Sequence, residues 1–221
     1  MTYTELVAAI EAYTENYEQL FVDNIPVFVK QAEKRIYNTA QIPALRKNVT
    51  GQTKASNKYL PCPVDFLSTY SIAVVDSDGN YEYLLNKDVN FIRQAYPSPS
   101  DTGLPKYYAI FGPAVASETV SDELTFIMVP TPDSVYTIEL HYYYYPESIV
   151  DAGTSWLGDN YDPVLLYGSL MEAYTFMKGE QDVMAFYTQK YADALAQLKR
   201  LGDGLERGDA YRDGQYKMRV T

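Results

Sequence analysis

DNYDPVLLYGSLMEAYTFMKG, residues 159–179, carries the signals of a helix that other helices surround. Asp162 is placed to cap this helix, Pro163 fits its first turn, and Gly179 marks its end. The apolar side chains between these signals run nearly all the way round the helix: Leu165, Leu166, Leu170, Met171, Ala173, Tyr174, Phe176 and Met177. A helix of this kind is buried on most sides, so we expect it inside a helical bundle.

Two antiparallel helices are predicted at the N-terminus. Apolar residues recur at helical spacing in the first, and Thr2 with Glu5 can form a capping box at its start. The second is predicted over residues 23–40, with Asp23 as its cap and Pro26 in its first turn.

The last predicted helix covers residues 182–201 and ends at Gly202. One stripe of this helix is apolar and contains Val183, Phe186, Tyr187, Tyr191, Ala194, Leu195, Leu198 and Leu201. We therefore expect one helical bundle that combines residues 1–41 with residues 159–202.

The chain between these helices, residues 42–158, has a different character. Prolines break any long helix there, and short β-branched and aromatic runs lie between them: FLSTYSIAVV, YEYLL, KYYAIFG, ELTFIMV and SVYTIELHYYYY. DSDGN (76–80) and PTPDS (130–134) fit hairpin turns, and NKDVNFIRQAY fits a short helical turn. The predicted fold class is α+β, with a small antiparallel β region inserted into the helical bundle.

Tyrosines are unusually abundant, at 23 against 8 phenylalanines and one tryptophan, and four of them are consecutive in residues 138–148, IELHYYYYPES. Because side chains alternate along a strand, one set should face the core, namely Ile138, Leu140, Tyr142 and Tyr144. The opposite set contains Glu139. We expect its other members, Tyr143, Tyr145 and His141, on a partly wet surface that a neighbouring subunit or tail protein covers. The alternative is a two-sided strand inside a single sandwich.

The C-terminal segment, residues 203–221, is too polar and glycine-rich to fold alone. Apolar residues nevertheless recur between its charges: Tyr211, Tyr216, Met218 and Val220. The pattern by itself fits either a flexible docking arm or a frayed terminus.

Composition restricts the function classes. The net charge of −11, from 18 basic and 29 acidic residues, opposes binding to a phosphate backbone. The single cysteine, Cys62, excludes an internal disulfide and is expected to be buried. The first residues resemble no signal peptide, and no apolar run is long enough to span a bilayer, so we expect a soluble protein.

Catalytic signatures are missing from the sequence. The single histidine, His141, removes most acid–base schemes and the usual zinc sites. No nucleophile elbow, phosphate-binding loop or dinucleotide fingerprint occurs, and DSDGN lacks the spacing of a calcium loop. We expect no enzyme activity, no catalytic residue, no cofactor and no metal.

The N-terminal and C-terminal segments of the chain both resemble those of one known protein family. The C-terminal helices, WLGDNYDPVLLYGSLMEAYTFMKGEQDVMAFYTQKYADALAQLKRL, are followed by RGDAYRDG, and the N-terminus combines TYTELVAAIEAYTEN with IPVFVKQAEKRIYN. In this order the segments resemble the head-to-tail adaptor (connector) proteins of short-tailed bacteriophages. The resemblance covers roughly half of the chain, and the β region is similar in kind rather than by motif.

The resemblance implies a structural virion protein at the head–tail junction, assembled in the host cytoplasm. Family members form a ring, typically of twelve copies, between the portal and the tail nozzle, and the genome passes through it at ejection without specific binding. Their β region faces the tail or its fibres. Their C-terminal arm reaches along the portal, which assigns portal docking to Arg207, Tyr211, Arg212, Tyr216, Lys217, Met218 and Arg219.

Two other classes stay open at this stage. One is a different phage neck or tail component, such as a head-closure or tail-completion protein. The other is a tyrosine-rich binding module, for instance for carbohydrate, because sugars stack on exposed aromatic rings. A binding module would not explain the nearly all-round apolar helix or the apolar anchors of the C-terminal segment.

Overall fold

The computed structural model describes residues 1–40, 42–98, 100–112 and 124–206. It has an α+β fold, as the sequence predicts. The chain forms two compact units. Residues 1–45 and the chain from Pro146 onward make the helical unit, and Arg46–Tyr145 make the β unit.

Helices dominate the first unit. The helices of the described chain are α1 (Tyr3–Thr14), α2 (Gln19–Thr39), α3 (Val89–Ala95), α4 (Ile149–Ala152), α5 (Trp156–Asn160), α6 (Asp162–Met177) and α7 (Gln181–Glu206). All except α3 lie in the helical unit, which also contains a 3-10 turn at Pro43–Leu45. Within the described residues, no helix is long and apolar enough to cross a bilayer.

Helix α6 lies at the centre of the helical unit, and its predicted burial is confirmed. Helices α1, α2, α5 and α7 all pack against it. Its buried residues occupy most of its circumference: Val164, Leu165, Leu166, Gly168, Ser169, Leu170 and Ala173. At Gly168 a Cβ atom would lie 3.2 Å from the Ala32 Cβ of α2 and 3.2 Å from the Tyr191 ring of α7. The missing side chain lets three helices meet.

Helix α2 begins earlier than its predicted start. The helix starts at Gln19, so Asp23 is no cap and Pro26 lies inside the helix. Phe21 and Ile25 explain the extension, because both are buried on the face that packs against α6. Burying this apolar face outweighs the hydrogen bond that a proline in the helix interior removes.

The other helix ends confirm one predicted capping signal and contradict two predicted boundary signals. The predicted capping box is confirmed, with Thr2 N donating to Glu5 Oε2 (2.8 Å) and Glu5 N to Thr2 Oγ1 (3.3 Å). Asp162, in contrast, is the first residue of α6 and makes no capping hydrogen bond. Helix α7 continues beyond Gly202, because glycine is tolerated inside a helix at a cost of about 1 kcal/mol.

The β unit contains two packed sheets. Its strands are β1 (Arg46–Gln52), β2 (Tyr59–Pro61), β3 (Phe66–Val75), β4 (Tyr81–Tyr83), β5 (Leu85–Asn86), β6 (Tyr107–Phe111), β7 (Thr125–Val129) and β8 (Thr137–Tyr144). The first sheet has the order β1-β8-β3-β4 and the second β2-β7-β6-β5. One apolar core joins them, and its largest members include Phe66, Tyr108, Phe126, Met128 and Tyr142. Helix α3 covers the far side of the second sheet through Ile92.

Two features of the β unit correct the predicted connections. DSDGN is a hairpin turn, as predicted, since it joins the antiparallel pair β3 and β4. PTPDS is not, because it joins β7 to β8, which lie in different sheets. YEYLL is not one strand either: β4 pairs in the first sheet, and β5 pairs with β6 in the second, in parallel. The β region is therefore mixed rather than purely antiparallel.

The β unit is narrower than the predicted inserted region, residues 42–158. Helices α4 and α5 fall within that range, but they belong to the helical unit. Each is a single short turn of helix with a serine cap, Ser148 for α4 and Ser155 for α5. Elements this short have no apolar period by which a sequence could reveal them.

Candidate interaction surfaces

Strand β8 presents its side chains as the alternation predicts. Ile138, Leu140 and Tyr142 are buried in the core between the sheets, and Tyr144 packs at its margin. The opposite side of β8 faces away from the core, and there Glu139 and His141 remain partly exposed. The strand thus has one core face and one outer face.

Tyr143, on the outer face, is covered by the chain's own side chains. The Arg46 guanidinium lies 4.8 Å from the centre of the Tyr143 ring and donates to its hydroxyl (2.5 Å). The same guanidinium lies 4.0 Å from the Tyr70 ring, so it is held between two aromatic faces. Tyr143 is consequently buried without a neighbouring subunit, and its assignment to an interface stays a prediction.

His141 and Glu139 form a polar centre beside this cluster. Asn48 donates to Glu139 (2.7 Å), and the Glu139 carboxylate also raises the pKa of the Tyr81 hydroxyl, which hydrogen-bonds to it. His141 lies 3.4 Å from Ser71 Oγ and 3.9 Å from Glu139. We call the outer surface formed by Tyr70, Tyr81, Tyr83, Glu139 and His141 the tyrosine face.

The tyrosine face is largely accessible. Tyr70, Tyr81 and Tyr83 are each about half exposed or more. Tyr145, which follows β8, is also partly exposed, and its backbone N–H donates to the Asp65 carbonyl (2.9 Å). Large aromatic side chains with a polar tip suit a surface that a partner covers.

Asp65 fixes the end of β8 from the core side. Its carboxylate accepts from the Tyr142 hydroxyl (2.8 Å) and from Lys47 Nζ (2.6 Å). Burial raises the pKa of Tyr142 to about 12, and the hydrogen bond to Asp65 adds to this. Partial burial alone would raise the pKa of Asp65, but the two hydrogen bonds outweigh it and hold that pKa below its usual value. These contacts keep the strand rigid beneath the tyrosine face.

A second candidate surface lies at one end of the helical unit. It carries five exposed apolar side chains, which we call the aromatic end: Tyr13, Tyr17, Leu20, Phe176 and Phe186. They come from the close of α1, the connection between α1 and α2, the start of α2, the close of α6 and the start of α7. Tyr17 and Leu20 are the most accessible, with 69% and 68% of their surface exposed.

Ring contacts with neighbouring residues hold two members of the aromatic end, Phe176 and Phe186, in place. The Phe176 ring lies 5.2 Å from Phe28 and 6.3 Å from Phe21. Tyr187 packs against Tyr174 (5.0 Å) and Phe186 (5.6 Å). Burial, followed by the influence of Tyr174, raises the pKa of Tyr187 to about 12, so its ring stays neutral in this cluster. The sequence analysis missed this surface because its members are far apart in the chain.

Three observations on the described residues bear on catalytic chemistry. A cavity of about 70 Å³ beside α3 is lined in part by Lys58, Arg93 and Asp101, but it is smaller than the several hundred Å³ typical of a ligand site. Burial raises the pKa of Cys62 to about 12, so its thiol stays protonated and is a poor nucleophile. The part of the chain that the structure describes contains no cluster of metal-ligating side chains.

The predicted docking-arm residues cannot be placed. Arg207, Tyr211, Arg212, Tyr216, Lys217, Met218 and Arg219 lie outside the described residues. Helix α7 leads directly into this segment, since it continues to Glu206.

Comparison with known proteins identifies the family. Residues 1–217 match the family model described as SU10 adaptor protein. The chain belongs to this family. The match covers both units, so it confirms the resemblance to phage head-to-tail adaptors that the two ends of the sequence showed. None of the curated proteins matches the adaptor. As a phage adaptor, it is a structural component of the virion.

Proposed function

We propose that the adaptor forms a ring, of twelve copies in expectation, that joins the portal to the tail nozzle and surrounds the DNA channel. The observation that carries this proposal is the family match, which extends over residues 1–217. The ring sits at the head–tail junction and lets the genome pass during ejection. It assembles in the host cytoplasm.

Two surfaces are available for the contacts that such a ring requires. A ring needs a heterologous interface, in which one face of a copy meets a different face of the next. The tyrosine face and the aromatic end carry exposed aromatic side chains, the residue type that most often contributes binding energy. We assign the tyrosine face, which contains His141, together with Tyr143 and Tyr145 to contacts with a neighbouring subunit, the tail nozzle or tail fibres.

The net charge of −11 supports a channel without specific DNA binding. Acidic side chains on the inner wall repel the phosphate backbone, so the genome slides rather than adheres.

We assign portal docking to the predicted C-terminal arm, residues 203–221, of which 203–206 form the end of α7. The part that follows the helix is residues 207–221. Helix α7 has 26 residues and is therefore about 39 Å long, so it projects the start of the arm well away from the start of the helix. The arm contains four basic residues and three of the predicted aromatic and methionine anchors. Contacts at the portal and between subunits then reinforce one another by avidity.

Electron microscopy of negatively stained protein tests this function. The purified adaptor alone should appear as small particles, and native mass spectrometry at low micromolar concentration should show mainly monomer, because single interfaces are modest. Mixed with its portal, the adaptor should appear as rings stacked on portal rings. A stable twelve-mer in the absence of portal would contradict portal-dependent assembly, and the absence of rings with portal would contradict the function itself.

A further inference from the structure

The aromatic end exposes more apolar surface than a free protomer would leave in water. The helix ends there carry five large exposed side chains, and Tyr17 and Leu20 are both more than two-thirds exposed. Contiguous exposed apolar patches in soluble proteins mark sites that another segment covers. Its immediate neighbours do not provide that cover.

The chain segments that build this surface are acidic. The two segments that build it, residues 11–24 and 174–190, together contain six acidic residues and two basic ones. The acidic residues are Glu11, Glu15, Glu18, Asp23, Glu180 and Asp182. The chemistry of the aromatic end therefore favours a segment with apolar anchors and positive charges.

The last eight residues of the same chain have this chemistry. Residues 214–221 read GQYKMRVT and contain two basic residues and no acidic one. In an extended conformation Tyr216, Met218 and Val220 face one way, and Lys217 and Arg219 face the other. The apolar row can pack on the aromatic end while the basic side chains reach the acidic rim.

The arm is also long enough to reach this surface in its own protomer. From Phe186 to Glu206, α7 rises about 30 Å. An extended chain that turns back at Glu206 covers this distance in about ten residues, which brings Tyr216 level with the start of α7.

The charges along the returning path are complementary. At about 3.3 Å per residue, Asp209 comes level with Lys199 and Arg200 of α7. By the same measure Arg212 comes level with Asp193, and Asp213 comes level with Lys190, within about one helical turn. On such a path, each of these three charges of the arm would lie level with an opposite charge of α7.

We propose that, in the free protomer, residues 207–221 fold back along α7 of the same chain and cover the aromatic end with Tyr216, Met218 and Val220. The contact itself does not depend on the portal. Its consequence rests on the proposed function: a portal must displace the arm, and displacement exposes the aromatic end at the moment when neighbouring copies gather. Portal docking and ring closure would then be coupled.

A spin label on the arm tests the contact in the full-length protein. Gln215→Cys provides the attachment point, since the native Cys62 is buried and its thiol stays protonated. Methyl signals of Met177 and Met184 report on the aromatic end. Leu157 reports on a region away from the aromatic end, because its helix α5 leads into Tyr161, whose hydroxyl donates to Gln197 in the second half of α7 (2.8 Å).

The expected result is loss of the Met177 and Met184 signals while the Leu157 signal persists. A free arm would instead broaden Leu157 most strongly, and that result would overturn the proposal. A mixture of spin-labelled protein with separately isotope-labelled protein detects contacts between copies. Broadening of Met177 in that mixture would show that the arm of a neighbour occupies the surface, which would also overturn the proposal.

Charge-reversal variants provide the matched control. Glu15→Lys with Asp23→Lys should restore the Met177 and Met184 signals, because the acidic rim is weakened. Glu82→Lys with Glu147→Lys makes the same change in net charge at exposed positions outside residues 11–24 and 174–190, and it should leave both signals lost. Equal recovery in both pairs would show non-specific attraction and overturn the proposal. None of these NMR signals depends on portal binding, so failure of the proposed portal docking would leave all of these results unchanged.

Discussion

Glu33 provides the sharpest test of how the helical unit is held together. This carboxylate lies on α2 and is buried, with only 3% of its surface exposed. It accepts hydrogen bonds from the Ile149 N–H (2.9 Å) and from Ser148 Oγ (2.5 Å), both at the start of α4. Glu33 therefore joins two segments that are more than 100 residues apart in the chain.

Replacing Glu33 with alanine should destabilise the helical unit by about 2–4 kcal/mol. The buried Ile149 N–H loses its acceptor, which costs about 1–3 kcal/mol. The lost methylene packing adds about 1 kcal/mol. Glu33→Gln keeps an acceptor for this N–H, and its amide can donate to Ser148, so we expect a change of less than about 1 kcal/mol.

Urea unfolding followed by tryptophan fluorescence measures this difference. The single tryptophan, Trp156, lies in α5 and thus reports on the helical unit. Glu147→Ala is the matched control, since Glu147 is exposed in the same part of the chain. If Glu33→Ala unfolds at the same urea concentration as this control, the capping role of Glu33 is refuted.

Glu33 also predicts the direction of a pH effect. Burial disfavours the charged carboxylate and raises its pKa above the usual 4.5, and the hydrogen bonds from Ile149 and Ser148 offset this only in part. The folded state therefore holds the proton more tightly than the unfolded state. The associated stability is present below pH 4.5 and is lost as the pH rises through the folded pKa. Wild type should lose stability relative to Glu33→Gln across this window, and a constant difference would contradict the reasoning.

Three further predictions concern packing, docking and the channel. Gly168→Val should destabilise the helical unit by about 1–3 kcal/mol in thermal unfolding, because the added methyl groups must displace α2 or α7. Gly204→Val is the control and should change stability less, because a Cβ at Gly204 meets nothing within 4 Å. Deleting residues 207–221 should leave the circular dichroism of the fold intact but abolish co-sedimentation with portal rings, and undiminished binding would remove the docking role. Filter binding of duplex DNA at about 0.15 M salt should show no retention, whereas tight, salt-sensitive binding would require a basic face.

The helices could be predicted from the sequence because their apolar residues recur with a helical period. This held for α6, whose apolar residues run all round, and for the capping box of α1. Start points were less predictable. Helix α2 begins at Gln19 because Phe21 packs near Phe176, and that contact depends on tertiary structure.

The strands were predictable only where burial imposes a pattern. β1 reads RKNVTGQ and is almost entirely exposed, so no alternation marks it as a strand. Because β1 was missed, the sequence could not show that Arg46 covers Tyr143. The outward direction of His141 and Tyr143 was predictable, since alternation alone determines it. The aromatic end was not, because four helices contribute to it.

The first and last residues of the β unit lie close together, and this affects how the adaptor can evolve. Arg46, its first residue, is paired with Tyr143, close to its last residue, on the neighbouring strands β1 and β8. Paired residues on adjacent strands lie about 5 Å apart, so the β unit begins and ends at nearly the same point. A different module with equally close termini can replace it without moving the helices on either side. Recombination between phages can thus exchange the β unit as a cassette while the helical scaffold is inherited unchanged.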